Sequence, residues 1–463
     1  MFDVLAVSSG LSPFAVALIS IALLMGLILW LRVNAFLALL IASVCVGLLS
    51  DIPITEIAGT IQDSMGSALG FIATIIGLGS IFGKILEHSG GTEALAQSML
   101  RFFGEKRAPW AMVLTGFLVS IPVFLDAGLV ILIPIIYALT RESGKPILHF
   151  GIPLLAGMAV THSFVPPTPG PIAVAQQLGA DLGLVILVGV IVGVPTAIIA
   201  GPVFGAWISK RITVGVPEMM DEEGEELKKM DPASLPSFWV IFGFIAFPIL
   251  LILTASICDS LVKAGSLEAN DFIDVLFFLG HPIIALVLTT VIAMAYLGKS
   301  RGIDKSEMME ICTKALGPAG LIILITGAGG VFKAMLIKSN AAAGLAEALQ
   351  NSEMPIIVAA YLLSVTVRVI QGSATVAMIT AASLMAPMIE VLGLDPSGMD
   401  KALWVIAIAA GATILSHVND SGFWLVSRYF GLTERQTFQS FTVMTTLISV
   451  VGFLLALLLS VFV

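Results

Sequence analysis

Charged residues are scarce in this chain. Only 11% of its 463 residues are Asp, Glu, Lys or Arg, roughly half the share found in a soluble globular protein. The hydrophobic share is 58% and the mean hydropathy is +1.06. Apolar runs of about 20 residues, long enough to cross a bilayer, recur from Leu11 to Val463. This composition argues against a soluble protein and predicts an all-α polytopic membrane protein.

Sequence signs of an enzyme or of a metal site are also missing. The three cysteines, Cys45, Cys258 and Cys312, lie far apart without metal-type spacing, so neither a disulfide framework nor a metal site is expected. The sequence has no H-E-x-x-H and no G-x-S-x-G. The Gly-rich segment 77–83 lacks a phosphate-loop Lys, and we expect its glycines to serve helix packing. We therefore expect no catalysis, no cofactor and, without a basic patch, no nucleic-acid partner.

The distribution of Lys and Arg predicts the topology. No Lys or Arg precedes Arg32, so the first apolar run is expected to remain as a helix rather than to be cleaved as a signal. Connections rich in Lys and Arg should face the cytoplasm. Six such connections are found, and their basic residues are, connection by connection, Arg32; Arg101, Lys106 and Arg107; Arg141 and Lys145; Lys210, Arg211, Lys228 and Lys229; Lys299, Arg301 and Lys305; and Arg428 and Arg435. The connections at 51–64, 179–181, 259–271 and 394–400 are poor in both and should lie outside.

This topology divides the chain into two halves. We predict a first half at 1–208, a polar cytoplasmic linker at 209–236 that includes the acidic run 221–226, and a second half at 237–463. Each half has about five crossings and one re-entrant hairpin, so the second is inverted, and both termini are periplasmic or extracellular. The predicted crossings are 11–31, 35–50, 66–86 and 182–208, then 237–258, 272–297, 315–338 and 437–463; the hairpins are 109–140 and 355–393; the broken helices, with midplane breaks, are 147–178 and 402–427.

Similar segments in the two halves support this division. The segment G-S-I-F-G-K-I-L-E-H-S (79–89) aligns with G-G-V-F-K-A-M-L-I-K-S (329–339) at an offset of 250. His162 in the first broken helix faces His417 in the second at an offset of 255. Chance similarity between two Gly-rich apolar segments is the alternative. Inverted repeats with broken helices are typical of secondary transporters.

Two interruptions fall in the first half. In S-I-P-V-F-L-D-A-G (120–128), Asp126 is a lone carboxylate in an apolar run, which is costly and points to function. We predict that Asp126 carries a proton, with a structural helix cap as the alternative, and that Ser120 contacts substrate. In T-H-S-F-V-P-P-T-P-G-P-I (161–172), the prolines break the helix. The break offers polar groups to a hydroxylated ligand, or it only kinks the helix; these groups are Thr161, His162, Ser163 and Thr168.

The other two interruptions fall in the second half. R-V-I-Q-G-S-A-T (368–375) makes a small polar tip with Gln371, Gly372, Ser373 and Thr375. Three alternatives are open for Arg368: it pairs with a substrate carboxylate, it pairs with Asp126, or it extends to the membrane surface. S-H-V-N-D-S-G (416–422) packs four polar candidates between apolar segments: His417, Asn419, Asp420 and Ser421. Half-helix ends at such breaks suit an anionic ligand.

Four motifs together resemble the gluconate permease family of bacterial proton symporters. They are G-K-I-L-E-H-S-G-G (83–91), P-V-F-L-D-A-G (122–128), V-P-P-T-P-G-P (165–171) and H-V-N-D-S-G-F-W (417–424). The resemblance implies two inverted repeats with re-entrant hairpins, a homodimer and elevator-type motion. It also implies gluconate or related sugar acids as substrates, and D-serine for some members. Two departures are Thr168, where many members carry His, and Leu125, where the family often has Phe.

The resulting expectation is a proton-coupled symporter of the bacterial inner membrane that imports gluconate or a related sugar acid. Asp126 is the first candidate for the coupling proton, followed by Asp420 and His162. Sodium coupling is a less favoured version, because freed carbonyls beside Asn419 and Asp420 could also bind a cation. A same-fold transporter of another small acid such as D-serine, or a passive facilitator, is the alternative.

Overall fold

The computed structural model describes residues 11–217, 235–263, 265–268 and 270–463. In these ranges the chain is helical and contains no strand. Eight helices are long and apolar enough to cross a membrane, or nine if one bent pair counts as a single span. The predicted class, an all-α polytopic membrane protein, is confirmed. The acidic run 221–226 lies outside the described residues.

The helices of the first half are interrupted at the polar segments singled out above. In chain order they are α1 Pro13–Leu29, α2 Ala35–Leu49, α3 Ile54–His88, α4 Gly91–Phe103, α5 Ala108–Val119, α6 Leu125–Ser143, α7 Leu148–Phe164, α8 Pro169–Leu178, α9 Leu182–Ile198 and α10 Phe204–Ile208. One turn of 3₁₀ helix precedes α5, and a π-helical turn, Ile199–Val203, joins α9 to α10.

The helices of the second half follow a similar order. They are α11 Phe238–Lys263, α12 Asp271–Gly280, α13 Pro282–Arg301, α14 Lys305–Lys338, α15 Ala341–Asn351, α16 Ile356–Gln371, α17 Ala374–Val391, α18 Gly398–Thr413, α19 Ser421–Tyr429, α20 Glu434–Thr437 and α21 Val443–Leu459. A π-helical turn, Phe438–Thr442, again lies in the last long helical segment.

Several element boundaries differ from the prediction. Helix α3 begins at Ile54 rather than at residue 66, and α14 begins at Lys305 rather than at 315. Both extra segments carry polar residues, so hydropathy alone places them in loops. The short helices α4 and α15 were not predicted, and the predicted crossing 272–297 is two helices, α12 and α13, that meet at His281.

Helices α3 and α14 lie against each other in opposite directions and join the two halves. At one end, His88 of α3 lies 3.0 Å from Glu307 of α14. At the other end, Lys338 of α14 lies 2.8 Å from Glu56 of α3. Between these pairs, a Cβ at Gly330 would be 2.6 Å from the side chain of Ala68. Small residues therefore allow the two long helices to pack closely at their crossing.

The ends of these two helices repeat at the offset read from the sequence. Helix α3 ends at His88 and α14 ends at Lys338. The following serines, Ser89 and Ser339, take the same capping conformation. A residue with left-handed backbone follows each serine, with φ of 79° at Gly90 and 59° at Asn340. This likeness supports the repeat, while the inverted relation of the halves stays a prediction.

Candidate functional site

The site is built from two hairpin tips and two helix breaks. Non-helical residues 120–124 separate α5 from α6, and 165–168 separate α7 from α8. In the second half, 372–373 separate α16 from α17, and 414–420 separate α18 from α19. Each polar segment predicted to interrupt a helix therefore coincides with an interruption. Freed backbone groups at these places must be satisfied by protein, water or a ligand.

Local sequence explains where each helix stops. Pro169 occupies the first turn of α8, where a missing N–H costs nothing, and Pro166 and Pro167 cannot continue α7. Gly372 ends α16 with a φ of 92°, which favours glycine. A Cβ at Gly372 would also overlap the backbone of Asn419. The second hairpin tip therefore rests directly on the second break.

A narrow cleft of about 20 Å³ lies between α3, the first hairpin tip and the first break. A space this size holds about one water molecule, so a sugar acid needs the walls to move apart. Its lining includes Ile76, Gly79 and Ser80 of α3, the tip residues 121–124, and His162, Pro167, Thr168 and Pro169. Two of the predicted site residues, His162 and Thr168, thus share one cleft.

His162 is the residue of this cleft whose ring has an unsatisfied hydrogen-bonding atom within the described ranges. Its ring contacts Phe124 edge-on, with 6.3 Å between the ring centroids. Its Nδ1 is buried and has no hydrogen-bond partner among the described residues. A buried polar atom without a partner is costly. A ligand hydroxyl or a water that reaches Nδ1 would remove that cost.

The glycine-rich stretch of α3 holds the first hairpin tip in place. A Cβ at Gly83 would overlap the carbonyl oxygen of Pro122. Only glycine at this position lets α3 approach the tip so closely. The expectation that the glycines of 77–83 serve packing is confirmed for Gly83, whereas a Cβ at Gly77 or Gly79 would have its nearest contact at 3.7 or 3.8 Å. Ser80, on the same face of α3, was missed as a site residue, although its i, i+3 spacing to Gly83 was a usable signal.

Arg368 joins the second tip to the second break. Its guanidinium lies 2.5 Å from Asp420 Oδ2, and its Nε donates to the carbonyl of Ile414 at 3.2 Å. Its Nη1 donates to the carbonyl of Gly372. Ser416, another residue that sequence reasoning missed, donates to the same oxygen of Asp420 at 2.5 Å. Asp420 also caps α19 by accepting from the N–H of Gly422 at 3.0 Å.

Two of the alternatives for Arg368 are wrong. The side chain pairs with Asp420 rather than with Asp126, and it is only 3% exposed, so it does not extend to the membrane surface. The alternative in which Arg368 binds a substrate carboxylate stays a prediction. Sequence spacing gave no sign of the pairing with Asp420, because it depends on how the tip folds onto the break.

Asp126 and Asp420 begin two helices that meet from different halves. Asp126 lies in the first turn of α6, and Asp420 is the N-cap of α19. Because α6 and α19 contact each other, negative charges on both side chains would repel one another. In the described part of the chain, Asp126 forms no ion pair, whereas Asp420 has Arg368. The helix dipoles at both N-termini favour negative charge here.

Other predicted site residues already hold hydrogen bonds within the protein. Thr161 donates to the carbonyl of Phe117 at 2.9 Å, and Thr168 to that of Val165 at 2.8 Å. Ser163 accepts from Thr413 at 3.0 Å, which links the two broken helices. The remaining bonds are Ser120 to the Val123 carbonyl at 3.3 Å, His417 with the Val369 carbonyl at 3.0 Å, and Asn419 to the Val369 carbonyl at 3.3 Å.

The second tip also uses its polar groups locally. Gln371 Oε1 accepts from the N–H of Ser373 at 2.8 Å, and Ser373 Oγ caps α17 by accepting from Val376 at 3.4 Å. Thr375 follows in the first turn of α17, and Ser421 is exposed in the first turn of α19. These residues cap or begin their helices, and their role in substrate binding stays a prediction.

A family comparison decides what kind of protein carries this site. The sequence pattern of the GntP family permease matches residues 12–462. The chain belongs to the GntP permease family. It is therefore a membrane transporter rather than an enzyme, and the resemblance read from its motifs is confirmed.

Individual relatives match along nearly their whole length. The chain is 40% identical to "Gluconate permease" of Pseudomonas aeruginosa over 446 residues, 96% of each chain. It is 39% identical to "Low-affinity gluconate transporter" of Escherichia coli K12 over 94% of this chain and 95% of the relative. It is 34% identical to "Gnt-II system L-idonate transporter" of the same strain, over 96% of this chain and 98% of the relative.

One solved structure shares the fold. The YdaH transporter of Alcanivorax borkumensis, described as having an unusual topology, matches with a TM-score of 0.59. The match covers 96% of this chain and 98% of that chain at 15% sequence identity. At this identity the likeness concerns the fold alone.

Proposed function

We propose that the protein is a symporter that imports gluconate or a closely related sugar acid across the bacterial cytoplasmic membrane together with protons. The names of its relatives support the substrate class, since several are gluconate transporters and one is an L-idonate transporter. Both ligands are polyhydroxylated carboxylates. The cleft beside His162 and Thr168 offers hydrogen-bonding groups of the type that hydroxyls need.

Proton coupling is proposed because, among the described residues, only one of two carboxylates, Asp420, has a positively charged partner, and the other, Asp126, does not. Arg368 compensates the charge of Asp420, whereas Asp126 has no ion-pair partner in the described part of the chain. Two negative charges with one positive charge would repel an anionic substrate. A proton on Asp126 removes that repulsion and leaves the N-termini of α6 and α19 free to attract a carboxylate. Proton and anion would then bind together.

The arrangement of the halves forms part of the same proposal. We infer that residues 1–208 and 237–463 are inverted repeats, because α3 and α14 run in opposite directions and are paired at both ends. The linker 209–236 then lies in the cytoplasm, and both termini lie outside. A homodimer is implied by the family resemblance.

The decisive experiment is uptake of labelled gluconate into proteoliposomes under an imposed inward proton gradient. Wild-type protein should accumulate gluconate, and a protonophore should abolish the accumulation. Asp126→Asn should exchange gluconate across the membrane but fail to accumulate it. Asp51→Asn, which changes an exposed carboxylate in the connection between α2 and α3, serves as the matched control and should behave as wild type.

Each other outcome has a defined meaning. Equilibration without accumulation would identify a passive facilitator. Accumulation driven by a sodium gradient in place of protons would support the sodium version. Accumulation of D-serine but not of gluconate would overturn the substrate class and make Thr168 the first position to examine. Accumulation by Asp126→Asn would remove Asp126 as the proton carrier.

A further inference from the structure

A second cavity, of about 440 Å³, opens where the α8–α9 connection meets α11, α12 and the start of α13. We call it the outer cavity, because the charge distribution places the adjoining connections outside. Its polar lining consists of Gln176, Asp181, Ser256, Asp259 and His281. At this volume the outer cavity accommodates a small organic acid without rearrangement, unlike the narrow cleft.

The outer cavity and the cleft are separated by one small apolar space. Leu182, Ile252 and Pro282 line both the outer cavity and an apolar constriction of about 10 Å³. Pro167 lines both that constriction and the cleft beside His162. The three spaces are therefore neighbours, and the apolar constriction lies between the two that have polar linings.

The lining of the outer cavity fits hydroxyl groups. Gln176 lies in the lining, and its Oε1 is buried without a hydrogen-bond partner among the described residues; a rotation of the side chain toward the cavity would let a ligand donor satisfy that oxygen. Ser256 and His281 add groups that donate or accept. Phe71, whose ring meets His281 edge-on with 6.3 Å between centroids, and Phe277 supply apolar surface. Polar groups set in apolar walls are usual for small-molecule sites.

The charges around the outer cavity do not exclude an anion. Asp181 is engaged as the N-cap of α9, where it accepts from the N–H of Leu184 at 2.9 Å. Asp259 pairs with Lys263 at 2.6 Å. The ammonium group of Lys401 lies beside Gly179 at the rim. Two carboxylates are thus accompanied by two lysines.

We propose that the outer cavity is a capture subsite, in which a polyhydroxylated carboxylate binds before it passes the constriction to the cleft. This inference rests on the proposed function for its ligand class. It adds a second binding place on the entry route, together with the residues that form it.

Thiol labelling tests whether the ligand occupies the outer cavity. In a variant with Cys45, Cys258 and Cys312 replaced by serine and gluconate uptake intact, Ser256→Cys should react with a membrane-impermeant methanethiosulfonate added outside cells. Gluconate should slow this reaction several-fold. Ser260→Cys, an exposed position on the same helix outside the cavity lining, should react without protection. Absence of protection at Ser256→Cys would overturn the proposal.

Uptake kinetics provide a second test that leaves the native cysteines in place. Gln176→Ala should raise the KM for gluconate about 2- to 10-fold, the effect of one lost hydrogen bond. Asp259→Asn removes a negative charge from the lining and leaves Lys263 unpaired, so it should lower the KM for the anion. Both should change the maximal rate little. Asp274→Asn, a change on the neighbouring helix α12 outside the cavity lining, is the matched control. An unchanged KM in both cavity variants would contradict a capture subsite.

The two proposals fail in distinguishable ways. If the wild type takes up no gluconate, the proposed function fails, and this is measured without any variant. If the wild type takes up gluconate but Ser256→Cys is unprotected and KM is unchanged in the variants, only the capture subsite fails.

Discussion

The two hairpin tips differ in how completely the polar groups around them are hydrogen-bonded within the protein. Around the first tip, His162 Nδ1 is buried without a partner, and the cleft beside it is lined by the first half. Around the second tip, Arg368 bonds to Asp420 and to the carbonyls of Ile414 and Gly372. Side chains of the second half thus bond the second tip to the second break, whereas a polar atom beside the first tip stays unpaired in the described part of the chain and could bond to a ligand.

Because of this difference, we expect the two halves, which have a similar helix order, to have different roles in the site. A fully bonded polar network fixes one geometry, so the second half forms the rigid wall of the site. The first half contributes a wall with a polar atom that is unpaired among the described residues, Nδ1 of His162, which the proposed function assigns to the substrate. Similar backbone arrangements therefore do not imply equal roles, and each role can be tested separately.

The largest expected effect comes from breaking the rigid wall. Arg368→Met leaves the carboxylate of Asp420 without its partner, which typically costs about 3–5 kcal/mol for a buried pair. Thermal unfolding of the detergent-purified protein should show a strongly lowered Tm. The control Lys314→Met removes a cation that pairs with Glu310 at 2.6 Å and is 66% exposed, and should change Tm little.

A double variant separates lost pairing from lost packing. Arg368→Met combined with Asp420→Asn removes both charges and should recover part of the stability. Equal Tm values for the single and double variants would show that the ion pair does not explain the loss.

The next effect concerns the support of the first tip. Gly83→Ala puts a Cβ onto the carbonyl of Pro122, and overpacking of this kind costs about 1–3 kcal/mol. Gly70→Ala lies on the same helix with open space around its Cβ, and should change stability by at most about 1 kcal/mol. Equal Tm values for the two variants would refute close packing between α3 and the tip.

A smaller effect is expected at the ligand-facing atom of the first half. His162→Leu should raise the KM for gluconate about 2- to 10-fold through one lost hydrogen bond. His149→Leu changes a histidine at the other end of α7 and should leave KM unaltered. If both variants match the wild type, His162 does not contact substrate.

The smallest effects belong to the paired ends of α3 and α14. Glu56→Gln and Glu307→Gln each remove one partly exposed ion pair, which is worth about 1 kcal/mol or less. Both should lower Tm slightly and less at high salt. A loss above about 2 kcal/mol at only one end would argue against equivalent ends.

Sequence reasoning located the interruptions better than it located the contacts between them. Pro166, Pro167 and Gly372 mark their breaks through backbone chemistry that acts locally. The Arg368–Asp420 pair joins residues on different helices, so it follows from tertiary packing that no local pattern encodes. Thr161 and Ser163 were predicted as ligand contacts from residue type alone, and residue type does not reveal that they bond to neighbouring helices.

The predicted starts of α3 and α14 were wrong for a related reason. The first turns of α3 and α14 carry polar residues such as Glu56 and Glu307, and these are accommodated because each helix covers the other's end. Hydropathy measures a segment alone and does not register such a partner. The amphipathic helices α4 and α15 were missed because their composition resembles that of a loop.

The pairing of α3 with α14 also constrains biogenesis. A ribosome completes α3 more than 200 residues before it reaches Lys305, so the face of α3 around Ala68 meets lipid or an insertion factor until α14 arrives. Contacts this distant in sequence form late and slowly. The contact between α3 and α14 can therefore form only after most of the chain has been inserted, whereas the residues that line the cleft beside His162 have all been synthesised by residue 169.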